Sequence, residues 1–179
     1  MLRRFPAEWE PQDAIVLGWP HESTDWAPTL ERVVPVFGRI ATAISHYERV
    51  IIPVPDPASV LPLLSAAGAC MECISAQAVA TNDTWARDFG PITVYENNTP
   101  LLLDYGFNGW GLKFRACDDN QITARLHARA VFGTTRRDVP GLILEGGSIE
   151  SDGAGTLLTT SSCLLEANRN PHLSRTELE

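Results

Sequence analysis

The chain has 179 residues, 44% of them hydrophobic and 20% charged, with a formal net charge of −8. That composition is ordinary for one globular domain with a single core, and an acidic surface excludes nucleic acid and anionic membrane as expected partners. No apolar run approaches the ~20 residues that span a bilayer, and Met1-Leu2-Arg3-Arg4 leads into Pro6 and acidic residues, not a signal-peptide core, so the chain is expected in the cytoplasm.

Residues 14–19 form a continuous apolar run closed by Pro20, which predicts a strand buried on both faces. From Asp25 the pattern turns helical: Leu30, Val33, Val34, Phe37, Ile40, Ala41 and Ile44 recur at helical spacing. Pro35 is expected to kink that helix or mark its true start. Arg49–Val54 predicts a second buried strand. Asp56-Pro57 then opens a helix carrying Val60, Leu63, Leu64 and Ala67, with Gly68 as its stop and Pro62 as a complication.

Four cysteines, at 70, 73, 117 and 163, are expected to be reduced. Cys70 and Cys73 have the C-x-x-C spacing of redox or zinc chemistry. No second pair lies near them, however, and His21, His46, His127 and His172 are scattered, so the pair reads as buried and inert. Cys163, beside Leu164 and Leu165, reads as a core residue on a return strand. No metal site and no cofactor are predicted.

Asn82-Asp83-Thr84-Trp85-Ala86-Arg87-Asp88-Phe89-Gly90-Pro91 crowds an indole, a guanidinium and two carboxylates together and closes on Gly-Pro. An aromatic face beside a carboxylate suits a planar cation, because ring quadrupole and negative charge attract the same guest. The plainer reading makes Trp85 a core residue and pairs Arg87 with Asp83 or Asp88. On a regular strand Trp85 and Asp88 face opposite sides, so a shared pocket requires a loop or bulge there.

Two segments of equal length, beginning at Gly90 and at Gly146, repeat 56 positions apart, each with polar turn residues in the middle and leucines on the return strand. Between them residues 118–132 predict a helix capped by Asp118 or Asp119, with Ile122, Leu126 and Ala130 on one face and Gly133 as its stop. Hairpin–helix–strand units at a fixed period mark a repeat architecture. Asp88 and Glu145 stand at nearly the same place before their hairpins, which directs two carboxylates toward one centre.

Further strings accompany these: Glu8-Trp9-Glu10-Pro11-Gln12, Leu17-Gly18-Trp19-Pro20, Asp104-Tyr105-Gly106-Phe107-Asn108-Gly109-Trp110-Gly111, Leu144-Glu145-Gly146-Gly147-Ser148-Ile149-Glu150 and Leu164-Leu165-Glu166-Ala167-Asn168-Arg169-Asn170-Pro171. In this order, over residues 5–171, the chain resembles the agmatine deiminase family, relatives of the bacterial peptidylarginine deiminases. The resemblance implies a cofactor-free enzyme of putrescine formation that hydrolyses a guanidinium to a urea and ammonia. A cysteine thiolate attacks the guanidinium carbon while a histidine moves protons. It implies Asp88 as a carboxylate that binds and polarises the substrate, Trp85 as a wall of the pocket, and Glu145 as a second acidic residue orienting the histidine or the guanidinium. Arg87 is expected to tie down its loop by an ion pair.

The implied fold is α/β, about three blades of a five-bladed α/β propeller (pentein fold), the whole of 1–179 being a single incomplete catalytic domain. A ring of five needs on the order of 280 residues at this period. Ser174-Arg175-Thr176-Glu177 has the form of a capping box opening a helix, yet the sequence runs only two residues further, so a fragment is expected. The family's G-H-x-D histidine motif does not occur, and no cysteine has the glycine-rich surroundings of the family nucleophile. The chain is therefore expected to be inactive alone, to bind a small guanidinium such as agmatine, and to be open to self-association along exposed edges. Two rivals stand beside this reading: a protein-arginine deiminase of the same superfamily, and a short or degraded paralogue that binds cations without catalysis.

Overall fold

The computed structural model describes residues 3–178; Met1 and Leu2 of the charged start noted above, and Glu179, lie outside them. Nine strands are present among the described residues: β1 (Arg3–Arg4), β2 (Ala14–Val16), β3 (Arg49–Val54), β4 (Ile74–Ala78), β5 (Ile92–Glu96), β6 (Thr99–Leu103), β7 (Arg136–Asp138), β8 (Ile149–Ser151) and β9 (Leu157–Thr159). The chain divides into two compact units, Pro11–Ala86 and Met1–Glu10 with Arg87–Glu179.

In the Pro11–Ala86 unit, β2, β3 and β4 form a parallel sheet in that order. Parallel strands need long crossovers, and helices Leu30–Ser45 and Leu61–Ala66 lie on the two connections. The core joins Trp19, Ala41, Val50, Ile52, Val54, Val60 and Leu64, with Phe37 meeting Trp19 edge-on at 6.2 Å. β3 is central and buried as its sequence predicts. β2 is shorter than the predicted strand and only half-buried, because it is the edge of the sheet; burial is reached beyond it, at Gly18, Trp19 and Pro20.

Helix Leu30–Ser45 runs through Pro35 without ending there. Its buried face is Gly38, Ala41 and Ser45, with Val34, Phe37 and Ile44 against the core, so the apolar stripe is narrower than the sequence suggested and Ile40 is 40% exposed. Ser45 is buried for a reason no apolar pattern records: its hydroxyl accepts the Cys70 N–H at 2.9 Å. Asp56 caps the next segment through the Ala58 N–H at 3.0 Å, and Pro62 sits within the first two positions of helix Leu61–Ala66, where its missing N–H costs nothing. Gly68 ends that region with φ +82, while Leu63 points outward. Cys70 and Cys73 are free and half-buried, their sulfurs 3.6 Å apart.

In the other unit a mixed sheet has the order β1-β5-β6-β7. β5 and β6 are the predicted first hairpin, joined by Asn97 and Asn98 at φ 50 and 64, the left-handed pair that a two-residue turn requires. Ile92, Val94, Leu101 and Leu103 form its core with Ile149. β8 and β9 are the second hairpin, but they make a separate two-stranded sheet in which Leu157 and Leu158 are 55% and 66% exposed. The leucines that repeat in sequence thus have opposite fates.

The helix expected over 118–132 is a 3-10 turn, Asp119–Gln121, followed by Ile122–Ala128. Asp118 makes no cap; its carboxylate holds Arg115 and Arg125 instead. The chain leaves the helix through Ala130, exposed at φ 54, ahead of Gly133. Cys163 lies on a helical turn, Ser161–Leu164, capped by the Thr160 side chain, and not on a return strand; it is half-buried. At Ser174 half of the capping box is formed: Glu177 accepts the backbone N–H of Ser174, but it also takes the Ser174 hydroxyl as a donor, and the Glu177 N–H goes to the Ser174 carbonyl.

The two ends of helical burial give a contrasting pair. Leu64→Ala, at a fully buried position, is expected to lower stability by about 2–5 kcal/mol in urea titration. Ile40→Ala on the exposed face should stay within about 1 kcal/mol of the parent.

Candidate functional site

Residues Ala86–Phe89 form a single helical turn, so the segment carrying Asp88 is not a strand. Arg87 ties this turn down within its own unit: its guanidinium pairs with Glu8 at 2.5 Å and donates to the Ile149 carbonyl at 3.3 Å, with Glu150 at 3.9 Å. The ion pair expected of Arg87 is present, with Glu8 and Glu150 as partners in place of Asp83 or Asp88.

The same turn explains the glycines of the L-E-G-G string. A Cβ on Gly146 would collide with the Arg87 carbonyl oxygen, and one on Gly147 with the Asp88 carboxylate. Only two bare α-carbons let the chain before β8 lie this close, and closeness is what allows the Gly147 N–H to donate to Asp88 Oδ1 at 3.2 Å. Asp88 receives a second donor, the indole of Trp110. Burial pushes its carboxyl above the usual range; the Trp110 and Gly147 hydrogen bonds act against this, the charge of Glu145 adds to it and that of Arg87 opposes it.

Trp110 arrives by a rare backbone route. Gly109, Trp110, Gly111 and Leu112 all have positive φ, at 67, 57, 82 and 66, which makes Gly109–Leu112 a left-handed turn. Left-handed geometry costs a residue with a side chain roughly 1–2 kcal/mol. Packing offsets it: Trp110 stands edge-on to Phe107 at 5.0 Å and to Phe114 at 5.6 Å, and Asn108 Oδ1 accepts the Gly111 N–H at 2.9 Å.

Glu145 is 3% exposed, and Arg169 Nε reaches both of its oxygens, at 2.8 and 2.9 Å. Arg169 also donates to the Cys163 carbonyl at 3.2 Å. Asp88 and Glu145 are thus neighbours in one unit with different partners: backbone and indole N–H groups for the first, a guanidinium for the second.

Trp85 belongs to the Pro11–Ala86 unit. It is 48% exposed and not core, and its indole donates to Asp83 at 3.2 Å. Asp83 also accepts the Thr84 N–H at 2.8 Å, and burial raises its carboxyl above the usual range. His21 bonds Thr81 at 2.8 Å and burial lowers its pKa. Trp26 donates to Thr84 at 2.9 Å, and Gly18 leaves room for the Thr84 backbone.

Trp110 and Arg169, which meet Asp88 and Glu145, stand out in the sequence as neither pocket nor ion-pair residues. The Gly-Trp-Gly string was the available signal for the first; nothing in the spacing of Arg169 marks its partner. Among the described residues no group of three His, Cys, Asp or Glu side chains is placed to hold a metal ion, and no helix is long and apolar enough to cross a membrane.

Residues 4–179 match the family model of the Porphyromonas-type peptidyl-arginine deiminases. The chain is 34% identical to an agmatine deiminase of Medicago truncatula, over 98% of this chain and 49% of that protein. It superposes on a solved structure from Porphyromonas gingivalis, provisionally named an arginine deiminase, with a TM-score of 0.88 and 46% identity, covering 99% of this chain and 52% of the other. A substrate-bound agmatine deiminase of C. jejuni, a cysteine-to-serine variant, gives a TM-score of 0.88 at 34% identity over 99% and 51%. The α/β fold is the one these structures share. The chain spans about half the length of the relatives it matches.

The glycine pair separates two consequences of one added methyl. Gly146→Ala meets backbone and is expected to lower the melting temperature sharply. Gly147→Ala meets the end of a side chain, so the protein should fold with Asp88 displaced, read as a changed Trp110 indole N–H resonance in ¹H–¹⁵N spectra.

Proposed function

The chain belongs to the Porphyromonas-type peptidyl-arginine deiminase family, and from that premise we propose that it supplies the guanidinium-binding part of an agmatine deiminase. The reaction converts agmatine to N-carbamoylputrescine and ammonia. One observation carries the reading. Asp88 is a half-buried carboxylate that accepts two N–H bonds, from Gly147 and Trp110. An ionised carboxylate has about four lone-pair sites, which leaves two for the parallel N–H groups of a guanidinium. Glu145 differs, since its charge already faces a cation, Arg169, at both oxygens.

In this proposal Asp88 binds the substrate and polarises it, and Glu145 is the second acidic residue of the site. Among the described residues no cysteine is hydrogen-bonded to a histidine, and the proposal assigns this chain binding and orientation and gives it no nucleophile. Agmatine is preferred because the Medicago and C. jejuni relatives carry that name. A protein-arginine substrate is the second reading, favoured by the family description and by the 46% identity to the Porphyromonas gingivalis protein. The architecture we propose is about three blades of a five-bladed α/β propeller, residues 1–179 forming part of one catalytic domain. The hairpins starting near Gly90 and Gly146, each led in by a helical turn, support it. Self-association, supported by the exposed leucines of β9, belongs to the same proposal.

Asp88→Asn should abolish agmatine binding in calorimetry, a loss on the order of 2–5 kcal/mol, because the amide turns a donor toward a guest that offers only donors. Burial raises the carboxyl of Asp88 in the folded state. Ionised Asp88 therefore costs stability above that raised value, and the cost is relieved as pH falls toward the unfolded range. The asparagine variant should then melt no lower than the parent at pH 7. Parent-like agmatine affinity with Asn at position 88 would overturn the reading.

Two further outcomes follow from the same site. Agmatine affinity should fall as pH drops through the raised value of Asp88, since only the ionised form holds the cation. Purified 1–179 should release no ammonia from agmatine above background.

A further inference from the structure

The string around Asn168-Arg169-Asn170 has no role in the binding scheme above, yet three side chains in a row leave it for three parts of the site. Asn168 Nδ2 donates to the Gly111 carbonyl at 3.3 Å, inside the left-handed turn. The Asn168 carbonyl accepts from Asn108 Nδ2 at 2.8 Å, at the start of that turn. Arg169 holds both oxygens of Glu145. Asn170 brackets Ile143, accepting its N–H at 3.0 Å and donating to its carbonyl at 2.9 Å, two residues before Glu145. Glu166, which accepts the Asn168 N–H at 3.1 Å, stands where a side chain on Gly111 would be.

We propose that Asn168-Arg169-Asn170 is a positioning clamp: Arg169 occupies Glu145 so that the substrate guanidinium is left to Asp88, and Asn168 holds the left-handed turn that brings Trp110 to Asp88. The proposal rests on the guanidinium-site reading. The Trp110 backbone is unfavourable by itself, so the turn needs outside support at its carbonyls, and Asn168 is the side chain that provides it. Glu145 is a buried anion a short way along the chain from the glycine that donates to Asp88. Without an internal guanidinium it would compete with Asp88 for the external one. Asn170 fixes the backbone on which Glu145 sits.

The test reads Asp88 through its neighbour. In ¹⁵N-tryptophan and ¹³C-aspartate labelled 1–179, Asn168→Ala is expected to move the Trp110 indole N–H resonance and to raise the titration midpoint of Asp88, because a hydrogen bond favouring the ionised form is lost. Glu145 and Arg87, the charges acting on Asp88, are unchanged in that variant. Trp110→Phe should raise the midpoint equally, and Asn168→Ala added to it should raise it no further. An unmoved indole resonance and midpoint in folded Asn168→Ala protein would overturn the turn-holding arm.

Arg169→Lys keeps the charge but loses the two-oxygen grip, and should make agmatine binding depend less on Asp88, so that Asp88→Asn costs at least about threefold less affinity in that background than in the parent, at an unchanged fold. An undiminished cost of Asp88→Asn in Arg169→Lys would overturn the Glu145 arm. Failure of the binding reading is seen separately, as agmatine affinity that survives Asp88→Asn; the indole and Asp88 readouts need no ligand.

Discussion

Two missing β-carbons set the distance on which the site depends. At Gly146 and Gly147 the chain before β8 packs against the carbonyl of Arg87 and the carboxylate of Asp88 so tightly that no side chain fits. That approach lets a backbone N–H address Asp88, and it lets Arg87 reach the Ile149 carbonyl at the start of β8. The W-x-R-D and L-E-G-G strings are therefore two sides of one contact. Neither has its shape without the other, which is why they are informative as a pair. The repeat of 56 positions is the chain-level expression of the same fact: each hairpin is led in by a helical turn, and the turns meet.

The contact places two carboxylates in close company and then makes them different. Asp88 is half-buried among N–H donors of low charge, and its carboxyl is raised by burial. Glu145 is deeper and faces a full cation in Arg169. Burying an ion pair is costly unless its geometry is good, and removing one partner costs about 3–5 kcal/mol; here both carboxylate oxygens are engaged. Strain is treated similarly. The left-handed Trp110 is held by aromatic packing on two sides and by hydrogen bonds at both ends of its turn, and the strain buys a single indole N–H aimed at Asp88.

What the sequence made legible was local. Asn97-Asn98 specifies its turn by φ preference, Asp56 caps the segment that follows it, and β3 is apolar from Val50 to Val54 because it is central. These rules need only a few residues. The reading went wrong where the partner was distant. Ile40 fits the helical stripe but the core meets the helix further round, on Gly38, Ala41 and Ser45. Asp118 stands where a cap belongs, yet two arginines claim it. The leucines of β9 repeat those of β6 in sequence and have no sheet to cover them. The repeat placed Asp88 and Glu145 at matching positions before their hairpins, and the structure makes them neighbours in one unit. Trp110 and Arg169 have no such mark, since a left-handed tryptophan and an arginine whose partner lies 24 positions away follow from no periodicity.

The electrostatic preference of the site is likewise a matter of partners more than of composition. A net charge of −8 is compatible with cations of every kind. Around Asp88 the account is more specific: Arg87 is drawn off by Glu8 and Glu150, and Arg169 is drawn off by Glu145 and Glu166. Arg87 and Arg169 thus already have carboxylates of their own, and among the described residues no cation forms a direct ion pair with Asp88. A buried carboxylate answered only by N–H dipoles keeps most of its field, and in a medium of low dielectric that field is strong. The planar cation of the proposed substrate, with two parallel donors, is the guest that such a carboxylate suits. The arginines near Asp88 have the functional group of the proposed substrate, and their pairing with Glu8, Glu150, Glu145 and Glu166 keeps them from Asp88.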